Sequence, residues 1–387
     1  MCMKFAALVF LLTAGAFAGP EEEFRLHMAK GHQFQVESKL GDAAAAFEDG
    51  LRAAAQFDAT GLKVAQAANN LGTVRYRQGF YKEAEKLYRQ ALENWEKMDP
   101  NGPDLPTALN NLAVLCRLTG RFREAEDVHL RVLRLRETLF GSEHPDVAAT
   151  LAGLAEVRRG LGRLDEAEPL ARRALDMRLR TLGGEHPDTA SSAHTLGAIR
   201  RSRGDVAEAE SMYLLALAIR QKAFGEAHYE AASSMNNLAE LYSSQGRYTE
   251  SEPLLQNALA IWERVLGPDH SHVAVALNNL AQVYRLNGDI EKAEPLYRRA
   301  IAMWEKSLGP RHPDVGRGLG NLADCFYQQG KLSGAVALYR RSQEILRESL
   351  GDGHEEVRRV ARSLAQVYSS QGRHTESEKV RASFLPD

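Results

Sequence analysis

The chain has 387 residues, of which 44% are hydrophobic and 26% charged, with a formal net charge of −2. That balance excludes a chain disordered by composition and a membrane-embedded body. With 49 basic against 51 acidic residues there is no global basic field for nucleic acid and no like-charged interaction tail.

In chain order, the first element is an apolar run from Phe5 to Ala18, preceded by Lys4 and followed by Gly19, Pro20 and three Glu. A basic start, an apolar centre and small residues at the close (Ala16-Phe17-Ala18) are the order of a secretory signal peptide, residues 1–18. The run falls short of the roughly 20 apolar residues of a membrane span. The expectation is an exported chain, periplasmic or extracellular, with no membrane span after cleavage; an uncleaved anchor is the alternative. Cys2 precedes the run and does not fit a lipid-attachment site following it. Cys116 and Cys325 occupy apolar helix positions five repeats apart, too far for a disulfide that needs Cα atoms within about 7 Å. They read as small core residues.

A repeat governs the remainder. Leu71, Leu112, Leu154, Leu196, Leu238, Leu280, Leu322 and Leu364 are separated once by 41 residues and thereafter by 42, and a Gly follows each eight residues later, from Gly79 to Gly372. Fixed periods in this range mean stacked supersecondary units. Each unit reads as two helices. In the sixth, Val275, Leu277, Leu280, Ala281 and Tyr284 recur at helical spacing. Asn287-Gly288-Asp289 marks a turn, and Ile290, Ala293, Leu296, Tyr297, Ala300, Ile301 and Trp304 form a second stripe. Leu308-Gly309-Pro310 then stops the helix. The small residues let the paired helices approach closely.

The expected division is a capping repeat over 19–62, an array of seven repeats over 63–355, and a truncated capping repeat over 356–387. The connection "DPNGPDLP", Asp99 to Pro106, departs from the others and predicts a local change of angle. The stretch "GRGLG", Gly316 to Gly320, predicts a soft helix, at about 1 kcal/mol per Gly relative to Ala. It lacks the preceding strand and the Lys-Ser/Thr of a phosphate loop.

The pattern Leu-Ala/Gly, Tyr, Gly, Ala, Leu/Tyr and Ala resembles a tetratricopeptide repeat. The longer form "NNLA…Y…G…EAE…L…LG..HPD" is similar to the repeats of kinesin light chains. The resemblance spans almost all of the chain after residue 18 and implies an all-α superhelical solenoid of about nine helix-turn-helix units. The export signal and the lack of a heptad segment set the chain apart from kinesin light chains, so a motor role is not carried over. HExxH, GxSxG, GxGxxG after a strand, and paired zinc cysteines are all missing. The expectation is a non-enzymatic scaffold with no cofactor.

His144, His186, His228, His270, His312 and His354 recur every 42 residues, each directly before a helix. A metal site would bring several nitrogens within about 2 Å of one ion. Stacked repeats stand at least about 8–10 Å apart, so six rings in a row cannot converge. The favoured reading is a cap in which a neutral ring nitrogen accepts a backbone N–H, with a lowered pKa on folding; a metal or small-ligand site is the alternative. Trp95, Trp262 and Trp304 share one register and read as packing between units.

Function should then lie on the concave face lined by the first helix of each unit. The resemblance places on it an Asn directly before the repeat Leu: Asn70, Asn111, Asn237, Asn279 and Asn321, with Gly153 and Thr195 departing in the centre. An amide there can hold a peptide backbone or can serve local packing. Five residues after the Leu stand Arg117, Arg159, Arg201 and Arg285, with Tyr76 and Tyr327 at the ends. Such forks favour carboxylates. The partner predicted is an extended, acidic peptide or protein segment, not nucleic acid. The outer face, used to assemble an envelope or secretion complex, is the alternative.

Overall fold

A computed structural model describes residues 19–37 and 39–384. Residues 1–18, where the signal-peptide reading falls, lie outside the described part. The described residues form eighteen α-helices and no strand. Contacts divide the chain into two units, one ending at Leu112 and the other starting at Ala113. The first holds α1 (Pro20–Val36), α2 (Leu40–Phe57), α3 (Leu62–Arg77), α4 (Tyr81–Met98) and the start of α5 (Asp104–Leu118). The second holds the end of α5 and six helix pairs. They are α6 (Phe122–Phe140) with α7 (Pro145–Gly160), α8 (Leu164–Leu182) with α9 (Pro187–Arg203), and α10 (Val206–Phe224) with α11 (Tyr229–Ser244). After them come α12 (Tyr248–Leu266) with α13 (Ser271–Leu286), α14 (Ile290–Leu308) with α15 (Pro313–Gln328), and α16 (Leu332–Leu350) with α17 (Glu355–Ser370). The shorter α18 (His374–Phe384) closes the series. From α1 to α4, and again from α6 to α18, each helix packs on its neighbours in sequence, the arrangement of a solenoid.

Two kinds of turn alternate. After α7 the chain passes through Gly162 at φ 74, and after α6 through Gly141 at φ 81, left-handed values that favour glycine. The second kind carries the recurrent histidine, and all six rings act alike. Nδ1 accepts the backbone N–H two residues on, from Asp146 (3.2 Å), Asp188 (3.1 Å), Glu230 (3.3 Å), His272 (3.2 Å), Asp314 (3.1 Å) and Glu356 (3.2 Å). One otherwise orphan donor of each helix is thereby satisfied. The ring does a second job where Phe140 stacks on His144 and Phe224 on His228, each with centroids 4.5 Å apart. His354 goes further. Its ring lies against Gly120, and it hydrogen-bonds the Leu118 carbonyl, so the turn before α17 meets the end of α5 within the second unit. Burial lowers the pKa of this ring.

Adjoining repeats are joined by polar links as well as by the apolar core. In four successive repeats the second glutamate of an "EAE" or "ESE" stretch accepts from the following repeat. Glu126 takes Arg158 (3.1 Å) and Glu168 takes Arg200 (2.5 Å). Glu210 and Glu252 take the hydroxyls of Tyr242 (2.7 Å) and Tyr284 (2.8 Å) at the same register.

The tryptophan register reveals a further joint. Trp304 seats on Gly318 of the next repeat, where a Cβ would lie 3.0 Å from its ring, and Trp262 donates to the Tyr229 carbonyl at 3.1 Å. Between them and Trp95, the same register holds Arg136, Arg178 and Arg220. Arg136 donates to the Asp146 carbonyl and Thr150, each at 2.9 Å; Arg178 to the Asp188 carbonyl (2.8 Å) and Ser192 (3.0 Å); Arg220 to Ser234 (2.7 Å). Burial lowers the pKa of all three guanidinium groups.

The glycines of "GRGLG" are sockets. A Cβ at Gly316 would stand 2.9 Å from Leu346, and one at Gly318 2.8 Å from Ile301. The Ser342 hydroxyl donates to the Gly316 carbonyl at 2.6 Å. The softness expected from propensity alone is offset by close packing of α15 against α14 and α16. Cys116 and Cys325 are buried thiols.

Candidate functional site

The end of α5, with Arg117, and the odd-numbered helices α7 to α15 carry the predicted groove residues of the second unit. The asparagine row is partly spent on structure. Asn279 donates to the Asn236 side chain and Asn321 to that of Asn278, both at 3.0 Å; in the first unit Asn111 donates to Asn69 at 3.0 Å. Asn70 meets His32 at 3.4 Å. The acceptor in each rung is the first Asn of an "NN" doublet one repeat earlier. That doublet is the signal a search for the second Asn alone passes over.

The rungs stop in the centre, and the sequence says why. Where α7 and α9 need a donor they have Gly153 and Thr195, and where α11 needs an acceptor on α9 it meets His194. Asn237 consequently makes no side-chain hydrogen bond among the described residues and stays half-buried beside the channel. Gly153 has its own cause. The ring of His129 fills the space a side chain would use, with Cε1 2.7 Å from an ideal Cβ.

The arginine row divides in the same way. Arg285 is drawn toward Asp324 at 3.7 Å and toward Tyr297; burial works to lower its pKa, and these neighbours raise it overall. Tyr327 shares hydrogen bonds with Ser370 and Gln366, both at 3.3 Å. Arg159 pairs with Glu156 at 2.8 Å and reaches Ser202 on α9 at 3.4 Å. Arg117 and Arg201 make no ion pair among the described residues. Arg201 is exposed and hydrogen-bonded to Tyr213. The structure thus gathers Glu156, Arg159, His194 and Arg201 in the stretch that lacks amide rungs. Burial lowers the pKa of His194, with Glu156 opposing and Arg220 and Arg159 assisting.

Beside Arg201 lies a cavity of about 280 Å³, also lined by Glu240, Ser243, Ser244, Asn279 and Gln282. Sequence reasoning did not single out Glu240. It is open to solvent, yet protein surrounds it on most sides, and this burial raises its pKa despite Arg201 and two amides. Asn236 (3.1 Å) and Asn279 (3.0 Å) both donate to its Oε1. A side chain open by contact but enclosed by surroundings is the mark of a concave floor.

No group of three or more His, Cys, Asp or Glu stands together as a metal site among the described residues, and none of their helices is long and apolar enough to cross a membrane.

The tetratricopeptide repeat profile matches residues 35–97, 63–138, 104–180, 146–222, 188–256, 230–306, 272–348 and 319–380. Among solved structures, BtubC (BKLC) from P. vanneervenii is 26% identical, with 60% of this chain and 92% of that chain covered at a TM-score of 0.45. A putative kinesin light chain from Podosopora anserina with nearly identical repeats is 26% identical, with 54% and 98% covered at 0.44. A Rap protein complexed with Competence and Sporulation Factor is 15% identical, with 85% and 99% covered at 0.57. A comparison with curated proteins finds no match. Arrays of this kind generally serve as non-enzymatic scaffolds for proteins or peptides. The chain belongs to the tetratricopeptide repeat family.

Proposed function

We propose that the concave face over α7, α9 and α11, with Arg117 at the end of α5, holds an extended, acidic segment of a protein partner. Carboxylates of the segment meet Arg117, Arg159 and Arg201, and a backbone amide meets Asn237. The observation that carries this reading is the interruption of the asparagine rungs across those helices, which leaves polar groups open where the outer repeats have spent theirs. Neutral amides and arginine forks suit peptide groups and carboxylates. Carboxylates such as Glu156 beside the arginines are ill suited to a nucleic-acid backbone. The scaffold acts without catalysis or cofactor, and its apolar leader directs export.

The outer face stays a second reading because α10 exposes Leu214 (44%) and Leu215 (38%) where the flanking repeats carry Arg172, Arg173, Gln256 and Asn257. Affinity capture from the native envelope extract separates the two. Partners held by the wild-type chain should be lost from the Arg159→Ala/Arg201→Ala variant and kept by Leu214→Ser/Leu215→Ser. The reverse pattern would overturn the groove reading. Amino-terminal sequencing of the mature protein should begin at Gly19; a retained Met1 would overturn export by cleavage.

A further inference from the structure

We propose that Glu240, at the cavity between α9, α11 and α13, is a subsite for one basic side chain of the partner, an ammonium or guanidinium group. The inference rests on the groove reading above and adds to it a definite order of charges along the bound segment.

The argument starts from hydrogen-bond arithmetic. An ionised carboxylate offers about four lone-pair sites on two oxygens. Both amides that reach Glu240 land on Oε1, at 3.1 and 3.0 Å, and neither brings a charge. Oε2 has no hydrogen bond, and no cation lies within ion-pair distance of the carboxylate, among the described residues. Arg201, the nearest charge of opposite sign, directs a hydrogen bond to Tyr213 instead. A carboxylate on a cavity floor with no paired cation and no hydrogen bond on Oε2 leaves that oxygen for a cation brought by a ligand. The cavity has room for such a group, and Ser243, Ser244 and Gln282 on its wall can accept the remaining N–H donors.

Geometry then sets the spacing. Neighbouring odd helices stand at least about 8–10 Å apart, and an extended segment rises about 3.3 Å per residue. A residue facing Glu240 on α11 therefore lies about three positions from one facing Arg201 on α9. It lies about six from one facing Arg159 on α7. The recognised pattern is acid, acid, base, at roughly one repeat per three residues.

The test is selection of displayed random peptides, each about twelve residues long and so able to cross three repeats, on the full chain and on variants. The wild-type chain should enrich Asp/Glu with Lys/Arg about three residues beyond. Glu240→Gln keeps an acceptor for both amides and should lose the Lys/Arg enrichment alone, and Glu240→Lys should replace it with Asp/Glu. In binding titrations, replacing the selected Lys by norleucine should weaken the wild-type complex about tenfold and the Glu240→Gln complex hardly at all. Acidic enrichment with no basic residue, or a basic residue indifferent to both Glu240 variants, overturns the subsite and leaves the groove reading standing. Selected peptides indifferent to Arg159→Ala/Arg201→Ala, or no enrichment at all, overturn both.

Discussion

His129 gives a stability switch whose size follows from its surroundings. It is 1% exposed, its ring fills the space above Gly153, and Nδ1 has no partner among the described residues. Burial first, then Arg117 and Arg136, lower its pKa from 6.5 to about 4. The folded chain therefore holds a neutral ring through a range in which the unfolded chain binds a proton. For a base with a lowered folded pKa the unfolded state gains protons first as pH falls. Stability is intact above about pH 6.5 and declines through the window down to about 4. At about 1.4 kcal/mol for each pH unit separating the two values, the whole span is worth roughly 3 kcal/mol, and the part between pH 7.5 and pH 5 about 2 kcal/mol. His129→Leu keeps most of the volume and removes the titration. Urea unfolding of both proteins at the two pH values, followed by circular dichroism and tryptophan fluorescence to check that one transition is seen, gives the double difference. His194 and His354, whose pKa values burial also lowers, cancel in it. The wild type should lose about 2 kcal/mol more than His129→Leu on acidification. Equal losses would refute the reasoning.

Three further experiments test the joints. His228→Ala removes both the cap on Glu230 and the stack on Phe224, and should cost about 1–2 kcal/mol in thermal or urea unfolding; His228→Asn, which can cap but not stack, should recover part of it. A Cβ at Gly318 would stand 2.8 Å from Ile301 and 3.0 Å from Trp304, so Gly318→Ala should destabilise by about 1–3 kcal/mol although alanine favours helix; a gain in stability would show that α14 yields freely. A double-mutant cycle on Asn236→Ala and Asn279→Ala should return a coupling of about 0.5–1.5 kcal/mol, and additive effects would mean the rung contributes nothing.

Much of the architecture was legible because the repeat states it many times. The 42-residue spacing, the glycine turns and the histidine before every odd helix from α7 to α17 are one-dimensional signals, and the cap on Asp146 or Glu356 needs only a ring two residues upstream. The groove was harder. An amide rung needs a donor on one repeat and an acceptor on another, so Asn279 read alone looks like a binding residue until Asn236 is set beside it. Arg285 likewise looks available until Asp324, on the following odd helix, comes near. Gly153 could not be understood from its own register, because its cause is the His129 ring on α6. Glu240 was passed over because a glutamate on an amphipathic helix reads as solvated surface, and only its place on the wall of the cavity sets it apart.

The central repeats depart from the rest at several registers together, and the coincidence is informative. The interfaces that bring α7, α9 and α11 into the stack lack the asparagine rung. The same three interfaces replace a tryptophan joint with Arg136, Arg178 or Arg220, set against Thr150, Ser192 or Ser234. Neither change improves packing in isolation: a tryptophan seated as Trp304 is on Gly318 excludes water, whereas a buried guanidinium must recover its desolvation cost through hydrogen bonds. Each arginine does so within the first two turns of the next odd helix, on a carbonyl oxygen, a hydroxyl or both, and so anchors the helix by its starting end. With that end held, the side chains further along α7 and α9, Glu156, Arg159 and Arg201, need not lock the helices to one another through amides. Glu156 and Arg159 pair with each other and Arg201 makes no ion pair among the described residues, over the stretch where Asn237 is unbonded and Glu240 lacks a cation. Constraint on the stack has moved from the channel floor to the helix starts, and an array that binds through its middle needs that division of labour.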